Sequence, residues 1–227
     1  MRKLFTSICV SFVIASFFNQ SYAQQGQKLT PSEILGERRE MYFDDDTVDT
    51  IPVGFQSAFT GKGKPGIWAV RKIEHAPSAD NVVMQTKQDD TDYRFPLLIL
   101  EGPAYKDAMA YVKFRAVSGK IDQAGGLVFR YKDNNNYYVF RANVLENNVQ
   151  LYKVINGTRK EIAGKNTNVS SEWHLLKVVC RGNKILCFFN NTKMIEVNDD
   201  TFDSGNVGLW TKSDSCTMFD DLVIQEM

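Results

Sequence analysis

From about residue 40 onward the chain is a succession of short runs in which apolar and polar residues alternate, and most runs close on Asn, Asp or Gly. A side-chain period of two belongs to a strand with one buried face, and Asn, Asp and Gly tolerate the positive φ angles of tight hairpins. The pattern predicts strands near 40–46, 67–73, 82–87, 95–100, 109–117, 124–132, 137–145, 149–155, 159–163, 173–181, 184–190, 193–198, 206–212 and 216–225. Turns fall at Asp133-Asn134-Asn135-Asn136, Asn147-Asn148, Asn156-Gly157 and Gly182-Asn183. Short strands at this spacing specify an all-β antiparallel sandwich or barrel. Residues 39–227 read as one domain, with the glycine-bearing stretch 53–66 as a loop inside it.

The N-terminal end has another character. Arg2 and Lys3 precede an almost wholly apolar run, Leu4 to Phe18, and Ser21-Tyr22-Ala23 ends in small residues. Residues 1–23 are therefore expected to be a signal peptide, and the protein to be exported to the periplasm or beyond the cell. The run is too short for a membrane span. Residues 24–38 form a separate segment in which Thr30-Pro31-Ser32-Glu33 makes a capping box, so a short helix is expected from Pro31 to about Glu37. Twenty-seven Lys plus Arg balance twenty-seven Asp plus Glu, which removes a charge argument for nucleic-acid binding.

Beyond the leader stand Cys180, Cys187 and Cys216, whose spacing fits no zinc site. A two-residue hairpin at Gly182-Asn183 pairs residue 180 with 185 and 178 with 187. The two sulfurs then share a face diagonally, poor geometry for a disulfide. Three buried thiols serving as apolar filler are expected. His174 and His75 read as structural or surface residues, and Gly61-Lys62-Gly63-Lys64-Pro65-Gly66 as a flexible loop without phosphate-binding spacing.

The central hairpin can be read face by face. With Lys132 opposite Tyr137, one face carries Leu127, Phe129, Tyr131, Tyr138, Phe140 and Ala142, and is the core. The other carries Arg130, Tyr137, Arg141 and Asn143, with Tyr152 joining from the next strand. Farther on, Trp210, Lys212 and Asp214 alternate on one side of a strand. Rings take the C–H surface of a sugar, and Arg, Asn, Lys and Asp take its hydroxyls. These eight residues are the candidate ligand contacts. The competing reading is a solvated outer sheet with Arg stems covering apolar surface, and Trp210 in the core.

Two longer stretches carry a family resemblance. They are Gly125-Gly126-Leu127-Val128-Phe129-Arg130-Tyr131-Lys132-Asp133 with Asn136-Tyr137-Tyr138-Val139-Phe140-Arg141-Ala142, and Gly205-Asn206-Val207-Gly208-Leu209-Trp210 with Phe219-Asp220-Asp221-Leu222. The last hundred residues resemble the concanavalin A-like jelly-roll domains of the 3-keto-disaccharide hydrolase-like family, also described as like family 16 glycoside hydrolases. The resemblance implies a two-sheet jelly-roll sandwich, with a carbohydrate or glycoconjugate ligand on the concave sheet. Catalytic members of family 16 carry a Glu-x-Asp-x-x-Glu strand, and this chain has no such run. The expected function is therefore binding, with glycoside or 3-keto-glycoside cleavage as one alternative and a laminin G-like interaction module as another. Such sandwiches often tie first and last strands with calcium, and Asp44 and Asp220 are the candidate ligands; no other cofactor is expected.

Overall fold

The computed structural model describes residues 36–227, and every regular element in it is a strand. In chain order these are β1 (Arg38–Met41), β2 (Phe55–Gly61), β3 (Trp68–Lys72), β4 (Asn81–Gln85), β5 (Arg94–Leu100), β6 (Ala108–Ser118), β7 (Ala124–Asp133) and β8 (Asn136–Asn143). They continue with β9 (Asn148–Ile155), β10 (Thr158–Asn166), β11 (His174–Arg181), β12 (Lys184–Phe189), β13 (Thr192–Asn198), β14 (Asn206–Trp210) and β15 (Cys216–Glu226). The expected signal peptide, and all but the last two residues of the helix expected from Pro31 to about Glu37, lie outside the described residues; residues 36 and 37 are not helical. Among those described, no helix is long and apolar enough to cross a membrane.

The strands form two antiparallel sheets. One runs β13-β12-β11-β6-β15-β4-β3, with β1 also paired to β15; the other runs β10-β9-β8-β7-β14-β5-β2. Alternation explains their packing. On β6, Ala110, Val112 and Phe114 point inward and are buried, while Met109, Tyr111 and Lys113 point out. The inward residues meet Leu127, Phe129, Tyr138 and Phe140 from the other sheet in one core. This is the two-sheet sandwich that the strand pattern calls for.

One strand was not expected. β2 occupies part of the stretch read as a loop and pairs with β5, from Phe55 opposite Leu100 to Gly61 opposite Arg94. It is an edge strand with only one partner, so its polar residues Gln56 and Ser57 remain exposed and hide the alternation. The cysteine hairpin does follow its expected register, with Val178 opposite Cys187 and Cys180 opposite Ile185. Cys180, Cys187 and Cys216 are buried free thiols, and burial raises the pKa of each.

The seven-stranded sheet curls strongly. At the tip of the β7–β8 hairpin, Tyr137 Oη donates to Thr60 Oγ1 on β2 (3.1 Å), and Thr60 donates to the Asn134 carbonyl. The same tip receives the Gly157 amide of the β9–β10 turn at the Asn135 carbonyl (3.0 Å). The hairpin thus reaches across to the opposite edge of its own sheet. Beneath it Phe95, Leu97, Ile99, Val128, Val139 and Trp210 form a second apolar cluster on the outer face.

Candidate functional site

The predicted ligand contacts fall mainly around this second cluster, and most are buried there. Arg130 is the exception, and its assignment to the ligand face is corrected. It adopts a left-handed backbone (φ 48°), and the β7–β8 register slips between Phe129 and Asp133. An irregularity of this kind exchanges the faces of the residues beyond it. Tyr131, expected in the main core, joins the second cluster instead. Arg130 turns inward and donates to the carbonyls of Phe202 (2.9 Å), Lys106 (3.0 Å) and Gly182 (2.7 Å). Its guanidinium thereby fastens three connecting loops. Gly205 (φ 151°) passes so close that a Cβ there would lie 2.4 Å from the Arg130 carbonyl carbon.

Trp210 is fully buried, so its expected role as a sugar platform is corrected as well. Its ring lies over Gly126, where a Cβ would stand 3.0 Å from Trp210 Cε3, and stacks on Phe95 with centroids 5.5 Å apart. Tyr137 is equally enclosed, and burial raises its phenol pKa beyond the ordinary range. The strand expected to reach residue 212 ends at Trp210, and Asp214 sits in the turn that follows. There its carboxylate accepts the backbone amides of Lys120 (2.5 Å), Ile121 (3.2 Å) and Asp122 (3.0 Å), binding the β6–β7 loop rather than facing a ligand. Burial opposes ionisation of Asp214, but these three amides prevail and lower its pKa.

Asn143 and Lys212 do meet, through a residue that the sequence reading passed over. Asn143 Nδ2 donates to Asp122 Oδ1 (2.7 Å), and Lys212 Nζ lies 2.7 Å from Asp122 Oδ2. Arg141 and Tyr152 also meet. Arg141 donates to Glu146 Oε2 (2.6 Å), to Asn148 and Gln150, and to Tyr152 Oη (3.4 Å). Arg159 closes the mouth of the cluster, its guanidinium carbon 4.3 Å from the Tyr152 ring centroid and 4.8 Å from that of Phe95. The face expected to form a groove is a packed cluster with a polar rim, because curling encloses it and long side chains seal what remains.

Asp44 and Asp220, the expected calcium ligands, each accept hydrogen bonds from the protein. Asp44 Oδ1 accepts the Asn81 amide (3.2 Å), whereas Asp220 accepts the Ser78 amide (3.0 Å), the Ser78 hydroxyl (2.9 Å) and the Asp221 amide (2.7 Å). Burial pushes the Asp220 carboxyl up to about 6. Among the described residues no group of three or more His, Cys, Asp or Glu side chains is placed to hold a metal. His174 is structural. Asn190 Oδ1 accepts the Leu175 amide (2.9 Å), so its Nδ2 faces His174 Nδ1 (2.9 Å) as donor. Nε2 stands within hydrogen-bond distance of the Ser170 amide (3.1 Å), carbonyl (3.1 Å) and hydroxyl (3.0 Å), so both ring nitrogens are engaged by neighbouring groups.

The open ground lies on the outer face of the eight-stranded sheet. Here β6, β11 and β15 run side by side, with Lys177 opposite Tyr111 and Tyr111 opposite Val223. Tyr42, 41% exposed, closes one side of a groove of about 480 Å³ whose floor and walls include Tyr111, Lys113, Lys177, Asn191 and Asp221. A bulge in β15 between Asp220 and Val223 places Asp221 in a left-handed conformation (φ 51°) and turns its side chain to this groove. Asp221 Oδ2 pairs with Lys113 Nζ (2.6 Å), and Oδ1 has no hydrogen-bond partner. Lys177 Nζ stands 4.6 Å from the Phe188 ring centroid and 3.4 Å from Asn191 Oδ1. The groove therefore combines two phenol rings, donors and an acceptor. The outward alternation of Tyr111 and Lys113 was visible in the sequence; the bulge that adds Asp221 was not.

No protein-family model matches the chain, and no curated protein matches it. Solved structures do match in fold. A carbohydrate-binding module, CBM66, from Bacillus subtilis superposes with a TM-score of 0.56 at 19% identity, over 72% of this chain and 94% of that one. The exoplasmic/lumenal domain of VIP36, in a form bound to Ca2+ and mannose, gives 0.56 at 10% identity, over 83% and 89%. A Bacillus subtilis protein of unknown function with a galectin-like fold gives 0.53 at 9% identity, over 76% and 89%. At these identities the likeness establishes the fold alone, a two-sheet jelly-roll sandwich.

Proposed function

We propose that this protein is an exported carbohydrate- or glycoconjugate-binding module, and that its contact surface is the outer groove of the eight-stranded sheet. One observation carries the placement: Tyr42, Tyr111 and the Lys113–Asp221 pair share a single open groove. Phenol faces suit the C–H surface of a pyranose, while an ammonium and a carboxylate offer a donor and an acceptor for its hydroxyls. The fold shared with a carbohydrate-binding module and a mannose-bound lumenal domain supports the same reading. The rim of the seven-stranded sheet is less suited, because Arg141, Asn143 and Lys212 there are already paired with Glu146 and Asp122.

A glycan array followed by calorimetry on the best hit tests this. Tyr111→Ala and Asp221→Asn should each weaken binding on the order of tenfold or more. Tyr93→Ala, which removes an exposed ring in the turn before β5, should leave it unchanged. Loss of affinity in Tyr93→Ala alone would move the site to the seven-stranded sheet. Prolonged incubation with the bound saccharide should return it intact; released sugar would replace binding by glycoside cleavage.

A further inference from the structure

The groove does not end at Lys177. A second depression of about 340 Å³, lined by Pro77, Trp173, His174 and Asn190, shares Lys113, Leu175 and Asn191 with the first. The two therefore adjoin along β11. Four residues of extended chain separate the positions of Trp173 and Lys177, a rise of about 13 Å and longer than one sugar ring. Rings stand toward both ends, Tyr42 and Tyr111 at one and Trp173 at the other. Between them lie the Lys113–Asp221 pair and Asn191. Trp173 Nε1 is buried without a hydrogen-bond partner, as is Asp221 Oδ1. Unpaired buried polar atoms are costly, and one donor and one acceptor here mark places where an incoming hydroxyl would be favourable after a small side-chain shift.

We infer that the ligand is a linear oligosaccharide laid along β11 and occupying both depressions, rather than a single terminal sugar. This rests on the glycan-binding reading of the groove. The Tyr42–Tyr111 end provides one ring-stacking position and Trp173 a second, with hydrogen-bonding groups between them. Affinity should consequently depend on chain length until both ends are filled, and Trp173 should matter only to ligands long enough to reach it.

The test is calorimetry with mono-, di-, tetra- and hexasaccharides of β-1,4-linked glucose, xylose and N-acetylglucosamine. In the series that binds, affinity should rise on the order of tenfold or more between mono- and tetrasaccharide. Trp173→Ala should erase that rise, whereas Tyr111→Ala should weaken every length. Trp173→Phe keeps a ring but lacks Nε1–H, and should retain part of the rise. Equal affinity at all lengths, or a hexasaccharide indifferent to Trp173→Ala, would overturn the extended-chain inference while leaving glycan binding intact. Failure of all three series and of the array would overturn both.

Discussion

Replacing Arg130 by Met should lower unfolding free energy by about 3–5 kcal/mol, the range for removing a buried charge that satisfies several groups. The thermal midpoint should fall by roughly 10 °C for a domain of this size. The size of the effect follows from what the guanidinium holds: the Phe202, Lys106 and Gly182 carbonyls, on three separate connections, lose their donor together. Asp107 Oδ1, 3.9 Å from the guanidinium and bonded to the Gly182 amide, would lose its nearby cation as well. Methionine fills much of the volume, so the loss reports hydrogen bonding more than cavity formation. Chemical denaturation with an unchanged m-value is the appropriate readout. A loss below about 1 kcal/mol would mean that solvent replaces the guanidinium and that the loops hold independently.

Asp214→Ala should cost a similar amount, about 3 kcal/mol or more, because three converging backbone N–H groups lose their acceptor. Two of the contacts are partly buried and the one to Asp122 is buried, so water cannot fully substitute. The damage should spread. Asp122 belongs to the loop that Asp214 organises, and it also holds Asn143 and Lys212. Asp214→Asn retains one side-chain oxygen acceptor and should recover part of the loss. Hydrogen exchange at Lys120, Ile121 and Asp122 should accelerate in Asp214→Ala. Unchanged exchange at those three amides would contradict the assigned role.

Arg130 and Asp214 show how far the sequence could be read. Period-two alternation located nearly all the strands and divided the central hairpin correctly as far as Phe129, because burial of one sheet face dictates that pattern. Nothing in Phe129-Arg130-Tyr131 announces a left-handed residue, since arginine rarely adopts positive φ, so Arg130 and Tyr131 were assigned to each other's faces. β2 was hidden for a different reason: this edge strand leaves the consecutive residues Gln56 and Ser57 exposed, so its burial does not alternate. The filling of the outer face was partly legible. Gly126 leaves the space that Trp210 takes, and consecutive glycines beside an aromatic strand are a packing signal as well as a turn signal. Curling of the sheet depends on contacts such as Tyr137 to Thr60, seventy-seven residues apart, which no local pattern encodes. Residue chemistry thus suggested carbohydrate recognition, whereas topology buried the face on which that chemistry was expected.

The most direct measurement follows backbone amide resonances while a saccharide identified on the array is titrated into the protein. Binding on the eight-stranded sheet predicts that the largest shifts fall at Tyr111, Lys113, Lys177 and Asp221, with Arg141, Tyr152 and Arg159 unmoved. Shifts concentrated at those last three residues, with Tyr111 and Lys113 unmoved, would contradict the account.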